Sequence, residues 1–158
     1  MCECHSGSRR SQEHALGRSW DYGEVRGPNQ EGPGTGFETY ALKQFHFHTP
    51  SEEKTNGKRY AISVHLVHAD PDDNLAAVAA LLQKGEENPL VLRLWNNLPM
   101  QKGKEEILDN VQIDASGLLP ADHDYYDFPG TLTTPPCSEN VTWFVLKQPA
   151  TVSEGEIE

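Results

Sequence analysis

Long apolar runs are missing from this 158-residue chain. No stretch approaches the ~18–20 apolar residues of a membrane-spanning helix. The first twenty residues hold no apolar run of the roughly 7–15 residues that marks a signal peptide, so none is readable and, taken literally, the chain stays in the cytoplasm. Basic residues are also scarce: Lys and Arg number 13 against 24 Asp and Glu, a formal net charge of −11. A polyanionic partner, whether nucleic acid or an anionic membrane surface, is repelled by such a chain. Cysteine is limited to Cys2, Cys4 and Cys137. Cys2 and Cys4 are too close for a comfortable bridge, so Cys137 is the partner open to either, and an odd count leaves at least one thiol over. The Cys2-Glu3-Cys4-His5 run has no second ligand pair nearby and reads as a tail rather than a metal clip. Collagen, coiled-coil and transmembrane classes are excluded.

What the chain does have is turn chemistry. Gly and Pro number 13 and 11, which points to many turns and a β-rich fold. Apolar content of 36% with a mean hydropathy of −0.64 is polar, yet short of a disorder signature. The length suits one domain. Residues 1–36 are polar and without period, and read as a poorly ordered N-terminal segment, so the folded domain is expected over 37–158. Phe37 to His48 alternates as a strand, with Leu42, Gln44, His46 and His48 expected on one face and Lys43, Phe45 and Phe47 on the other. Thr49-Pro50-Ser51 breaks that strand and Asn56-Gly57 signals a hairpin turn. Tyr60 to His68 is a second strand, and Asn74 to Gln83 a buried one, although its alanines also suit a helix. Asn88 to Asn97 reads as a short helix, Glu105 to Asp114 as a helix-to-strand passage, Gly117 to Pro120 as a short strand and Val141 to Lys147 as a buried strand.

Chemistry concentrates in three of the seven histidines. His46 and His48, one residue apart on a strand, project from the same face about 6–7 Å apart. If the next strand pairs antiparallel, His65 completes a trio. Three neutral imidazoles around zinc, with water in the fourth position, make a catalytic rather than a structural site. A His-x-His pair alone is ordinary in a half-exposed strand; His65 and Gln44 lift this one above that. Gln44 shares the face and is placed to hold an imidazole N–H. His68 falls on the opposite face and reads as a packed core histidine.

The segments Gln44-Phe45-His46-Phe47-His48-Thr49-Pro50-Ser51-Glu52, Val64-His65-Leu66-Val67-His68 and Gly130-Thr131-Leu132-Thr133-Thr134-Pro135-Pro136-Cys137 closely resemble the α-class carbonic anhydrases, particularly their bacterial branch. Trp20-Asp21-Tyr22-Gly23 with Gly27-Pro28 is similar to that family's N-terminal segment. The resemblance implies a β-dominated α/β fold, with a mixed, largely antiparallel sheet and short flanking helices. It implies a zinc-dependent lyase that interconverts carbon dioxide and bicarbonate, with His46, His48 and His65 as metal ligands. Thr133 matches the threonine that orients the attacking hydroxide, Glu52 the carboxylate that fixes that threonine's proton, and Thr134 a threonine near the product. Val67, Leu132, Val141 and Trp143 match the apolar wall where the gas rests.

The same resemblance defines departures. Only six residues separate Gln30 from Phe37, where the family has a far longer stretch. Its first disulfide cysteine and proton-relay histidine fall there, so Cys137 is expected to lack its usual partner and any turnover to be limited by proton release. The chain reaches Glu158 where the family adds further strands, and it reads as a truncated or internally deleted form that self-associates through exposed sheet edges. Ser63 stands where the family has a glutamate behind the third zinc histidine; losing such a carboxylate costs about 10–100-fold in metal affinity or activity. Glu53 stands where a histidine is usual, and Glu31 where a tryptophan is. These departures keep a second reading open: a catalytically silent carbonic-anhydrase relative acting as a binding module or relic.

Overall fold

Alternating apolar and polar residues draw the chain into paired strands whose two faces have separate fates. The computed structural model describes residues 12–14, 24–28, 37–99, 103, 107, 112–135 and 137–158. Strand β1 is Gln12–His14, β2 is Glu24–Pro28 and β3 is Phe37–His48. After β3 come a two-residue ladder, β4 (Lys54–Thr55) with β5 (Lys58–Arg59), and then β6 (Ile62–Ala69). Asn56 and Gly57 join β4 to β5 with φ of 51° and 77°; positive φ at both positions is what a tight primed turn demands. β3 and β6 are antiparallel, with His46 opposite His65, Phe45 opposite Leu66 and His48 opposite Ser63.

One detail departs from the alternation. Register slips between Leu42 and Gln44, so Lys43 is an extra residue, a β-bulge, and Leu42 pairs with His68. Leu42 therefore packs with Phe45 and Phe47 against the main core, away from Gln44, His46 and His48. Strict period-two counting fails there because one inserted residue reverses every side chain beyond it.

Strand β7 (Leu75–Lys84) lies between β6 and β9 (Val141–Leu146), antiparallel to the first and parallel to the second. Its alanines, which also suit a helix, are strand residues here because both edges of β7 are occupied by ladders; tertiary pairing overrides intrinsic propensity. Strand β8 (Tyr125–Gly130) pairs antiparallel with β9, and β10 (Ala150–Val152) parallel with the end of β7. Among the described residues the main sheet has eight strands, in the order β1-β8-β9-β7-β6-β3-β2 with β10 beside β7. β1, β2, β8 and β10 are elements that the sequence reading did not place. The fold is thus a β-dominated α/β structure with a mixed, largely antiparallel sheet.

Short helices cover one face. Helix α1 (Pro89–Trp95) starts at Asn88, whose side chain accepts from the N–H groups of Leu90 and Val91. Residues Ala115–Leu118 form a 3₁₀ turn capped by Asp114, where a short strand over Gly117 to Pro120 was expected. The Asp114 carboxylate accepts from Ser116 N–H, and that local bond pulls the segment into a turn. The expected passage over 105–114 lies mostly outside the described residues. Helix α2 (Glu154–Ile157) closes the chain, and buried Glu156 accepts from both Ser153 groups and from Asn88 N–H, tying α2 to the start of α1. Val91 and Leu118 join Ile62, Val64, Leu66, Val78, Leu82, Phe144 and Leu146 in the main core on this face. No helix among the described residues is long and apolar enough to cross a membrane.

His68 is buried in the sheet, and its Nδ1–H donates to the Leu66 carbonyl at 3.0 Å. Burial holds its pKa down at about 4, with that hydrogen bond opposing weakly. The unfolded chain takes up the proton near 6.5, so between those values it binds more protons than the folded one. Stability from this group is therefore complete above about pH 6.5 and drains as pH falls towards 4. We expect about 2 kcal/mol of His68-dependent stability to disappear between pH 7 and pH 5. Urea midpoints at the two pH values should fall further for the natural chain than for His68→Gln; equal slopes would show that His68 is not the titrating group.

Candidate metal centre

The face of the sheet opposite the helices carries the histidines. Register puts Gln44, His46 and His48 of β3 beside Ser63, His65 and Val67 of β6, and next to them Ala77, Ala79 and Leu81 of β7 and Trp143 and Val145 of β9. Ala77 and Ala79 sit opposite Trp143 and His65 respectively, and their methyl groups leave room for those two rings. Imidazole ring centres lie 4.9 Å apart for His46 and His48, 5.3 Å for His46 and His65, and 4.5 Å for His48 and His65. One ligand nitrogen from each lies within 4.8 Å of the other two.

Each ring has one nitrogen facing an oxygen. His46 Nδ1 donates to Gln44 Oε1 at 3.0 Å. His48 Nδ1 lies 3.4 Å from Glu52 Oε1. His65 Nε2 donates to Glu53 Oε1 at 2.5 Å. That leaves Nε2 of His46, Nε2 of His48 and Nδ1 of His65 for an ion. His48 Nε2 is buried and has no hydrogen-bond partner among the described residues, an unusual condition for a buried polar atom. A cation among the three nitrogens satisfies it, and three neutral imidazoles suit zinc. Burial, then the proximity of His65 and His48, depresses the pKa of His46; burial and His65 do the same for His48. Low basicity keeps both rings neutral, the form that ligates metal. For Glu53, burial pushes the pKa up, but the hydrogen bond and electrostatic attraction of His65, with smaller hydrogen bonds beside them, hold it below the usual carboxylate value.

Trp143 ties the histidines to the next loop. Its ring meets His65 edge-on at 4.9 Å, and its Nε1–H donates to the Thr131 carbonyl at 3.0 Å. It also lies so close over Gly130 that a Cβ there would come within 2.7 Å of its Cδ1. The loop that carries Leu132, Thr133 and Thr134 is braced by Leu132 N–H to the Ser138 carbonyl and Cys137 N–H to the Thr134 carbonyl. Leu132, Val141 and Trp143 pack together with Ala77, Ala79 and Leu81; Val67 is on the same face, opposite Ala77. Thr133 is half-buried in this loop and Thr134 exposed. No hydrogen bond joins Thr133 to Glu52, whose carboxylate lies against His48 instead. Cys137 is disulfide-bonded; the chain's other two cysteines, Cys2 and Cys4, lie outside the described residues.

Glu53 is the residue that sequence reasoning passed over, noting it only as standing where a histidine is usual. Its signal was a pair of departures taken separately: a carboxylate missing at position 63 and one gained at position 53.

The family model of eukaryotic-type carbonic anhydrases matches residues 11–158. A carbonic anhydrase of Nostoc sp. is 42% identical over 118 residues, which is 75% of this chain and 45% of that protein. One from Klebsiella pneumoniae is 44% identical over 118 residues, 75% of this chain and 48% of that one. Among solved structures, the α-carbonic anhydrase of Thermovibrio ammonificans, in complex with the inhibitor sulfanilamide, superposes with a TM-score of 0.72 at 42% identity, over 76% of this chain and 53% of its own. The chain spans about half the length of the curated relatives it matches.

Proposed function

The chain belongs to the eukaryotic-type, or α, carbonic anhydrase family, and on that premise we propose that it binds zinc through His46, His48 and His65 and reversibly hydrates carbon dioxide to bicarbonate. The observation that carries this reading is the convergence of three imidazoles whose outer nitrogens face oxygens, with the inner Nε2 of His48 left buried and unpaired. Zinc held in this way supplies a Lewis acid that brings the pKa of water in its open position to about 7, so that hydroxide is available at neutral pH.

The protein's part is orientation and exclusion. Gln44 and Glu53 fix the tautomers and planes of His46 and His65 by accepting from the nitrogens that face away from the ion. Glu52 lies beside His48 Nδ1 at 3.4 Å, an electrostatic neighbour of that ring. Val67, Leu132, Val141 and Trp143 offer carbon dioxide an apolar wall, which suits a gas that water solvates weakly. Thr133 and Thr134 serve as hydroxyl partners for the attacking water and for bicarbonate, a role that rests on their place in the loop tethered to Trp143. Glu52 completes Thr133's hydrogen bond when its carboxylate turns from His48 to the loop.

Metal analysis of the purified protein tests the reading most directly. We expect about one zinc per chain and carbon dioxide hydration above the buffer rate that disappears on chelation and returns with added zinc. A soluble, folded sample that takes up no zinc would sink the reading and leave the silent alternative standing.

A further inference from the structure

His65 is the most deeply buried of the three histidines, 1% exposed, and a buried imidazole N–H needs an acceptor. Position 63, two residues earlier on the same strand face, has only a serine to offer, and Ser63 Oγ is engaged by Glu52 N–H at 3.3 Å. The acceptor comes from another part of the chain. Glu53, in the turn after β3, places Oε1 2.5 Å from His65 Nε2. The turn is built to hold it there: fully buried Ser51 donates from Oγ to the Glu53 carbonyl at 2.9 Å and accepts from Tyr60 N–H at 2.9 Å. Ser51 N–H also donates to the Tyr60 carbonyl. The other two supports are weaker in kind, a neutral amide at His46 and a half-exposed carboxylate 3.4 Å from His48. Glu53 alone is a largely buried charge, 15% exposed.

We propose that Glu53 is the positioning carboxylate of the metal centre, taking from the turn the task that Ser63 cannot perform from the strand, so that the two departures form one compensated exchange. The inference rests on the zinc reading above. Accepting from Nε2–H fixes the His65 tautomer with its lone pair on Nδ1, towards His46 and His48, and makes that nitrogen a better donor. Glu52, Glu53 and His65 also form a possible ligand group by proximity. Tetrahedral zinc at about 2.0–2.2 Å from each donor holds neighbouring donors about 3.3–3.6 Å apart, however, wider than the 2.5 Å between Glu53 Oε1 and His65 Nε2, which is a hydrogen-bond separation. Glu53 is thus a support for the ligand and not a ligand.

Chelator-competition titration with zinc tests this without reference to activity. Glu53→Ala should bind zinc about 10–100-fold more weakly than the natural chain, with the circular dichroism of the metal-free protein unchanged. Adding Ser63→Glu to Glu53→Ala returns a carboxylate to His65 from the strand and should recover most of the affinity, a rescue that lost packing at position 53 would not show. If Glu53→Ala does not fold, the isosteric Glu53→Gln and its Ser63→Glu partner are read in the same way. A single variant within about twofold of the natural affinity, or a double variant no better than the single, overturns the inference alone. Absence of zinc from the natural chain overturns it together with the proposed function.

Discussion

His48→Ala is expected to purify as a folded protein without zinc and to hydrate carbon dioxide no faster than buffer. His48 is the informative ligand to remove because its side chain is 20% exposed, so truncation disturbs packing little. His65→Ala, by contrast, would open a cavity against Trp143. The Nε2 of His48 is a buried atom with no hydrogen-bond partner among the described residues, and its loss would leave two imidazoles around an ion that takes three protein ligands in a catalytic site. Without an ion, water would keep its ordinary high pKa, and hydroxide would be scarce at neutral pH. Metal content, hydration rate and thermal melting of the metal-free forms should be measured side by side. Equal melting with zinc and activity lost places His48 in the metal set; stoichiometric zinc in the variant removes it from that set.

Phe144→Ala should cost about 3–5 kcal/mol of folding stability. Against a usual total of about 5–15 kcal/mol, that is enough to leave much of the population unfolded on mild warming. The reason is position. Phe144 is fully buried on β9, pairs with Val78 of β7, and meets Tyr125 edge-to-face at 5.2 Å. Removing the ring takes an aromatic contact and leaves a hole in a core walled by paired strands and by Val91 and Leu118 of the covering helices. A urea midpoint for the variant, compared with Leu92→Ala on the exposed side of α1, checks it. A shift for Phe144→Ala as small as the surface control would mean that β9 does not pack as described. The prediction also bears on the site, because Trp143 and Val145 on the other face of β9 depend on the same strand.

The sequence by itself determined the elements whose period is local. The β3 and β6 strands, the Asn56-Gly57 turn, the helix starting at Asn88 and the buried β9 strand follow from alternation, turn chemistry and capping, all of which act within a few residues. The face shared by His46 and His48 follows from the period of two, and the antiparallel pairing then sets His65 opposite His46. What depends on partners far along the chain was not legible. The alanines of β7 are strand residues because β6 and β9 flank them, and no property of Ala76 or Ala79 states that. Strand β8, with its proline and glycine, exists because β9 offers a ladder. The bulge at Lys43 reverses Leu42 because the pairing with β6, and not the alternation, sets which residues face each other. The same physics hid Glu53. Hydrogen bonds to a metal-site histidine are judged by atoms and not by sequence offset, so a carboxylate 12 residues from His65 can replace one two residues away. Only the tertiary structure, which folds the Ser51 turn back over β6, brings that oxygen to Nε2.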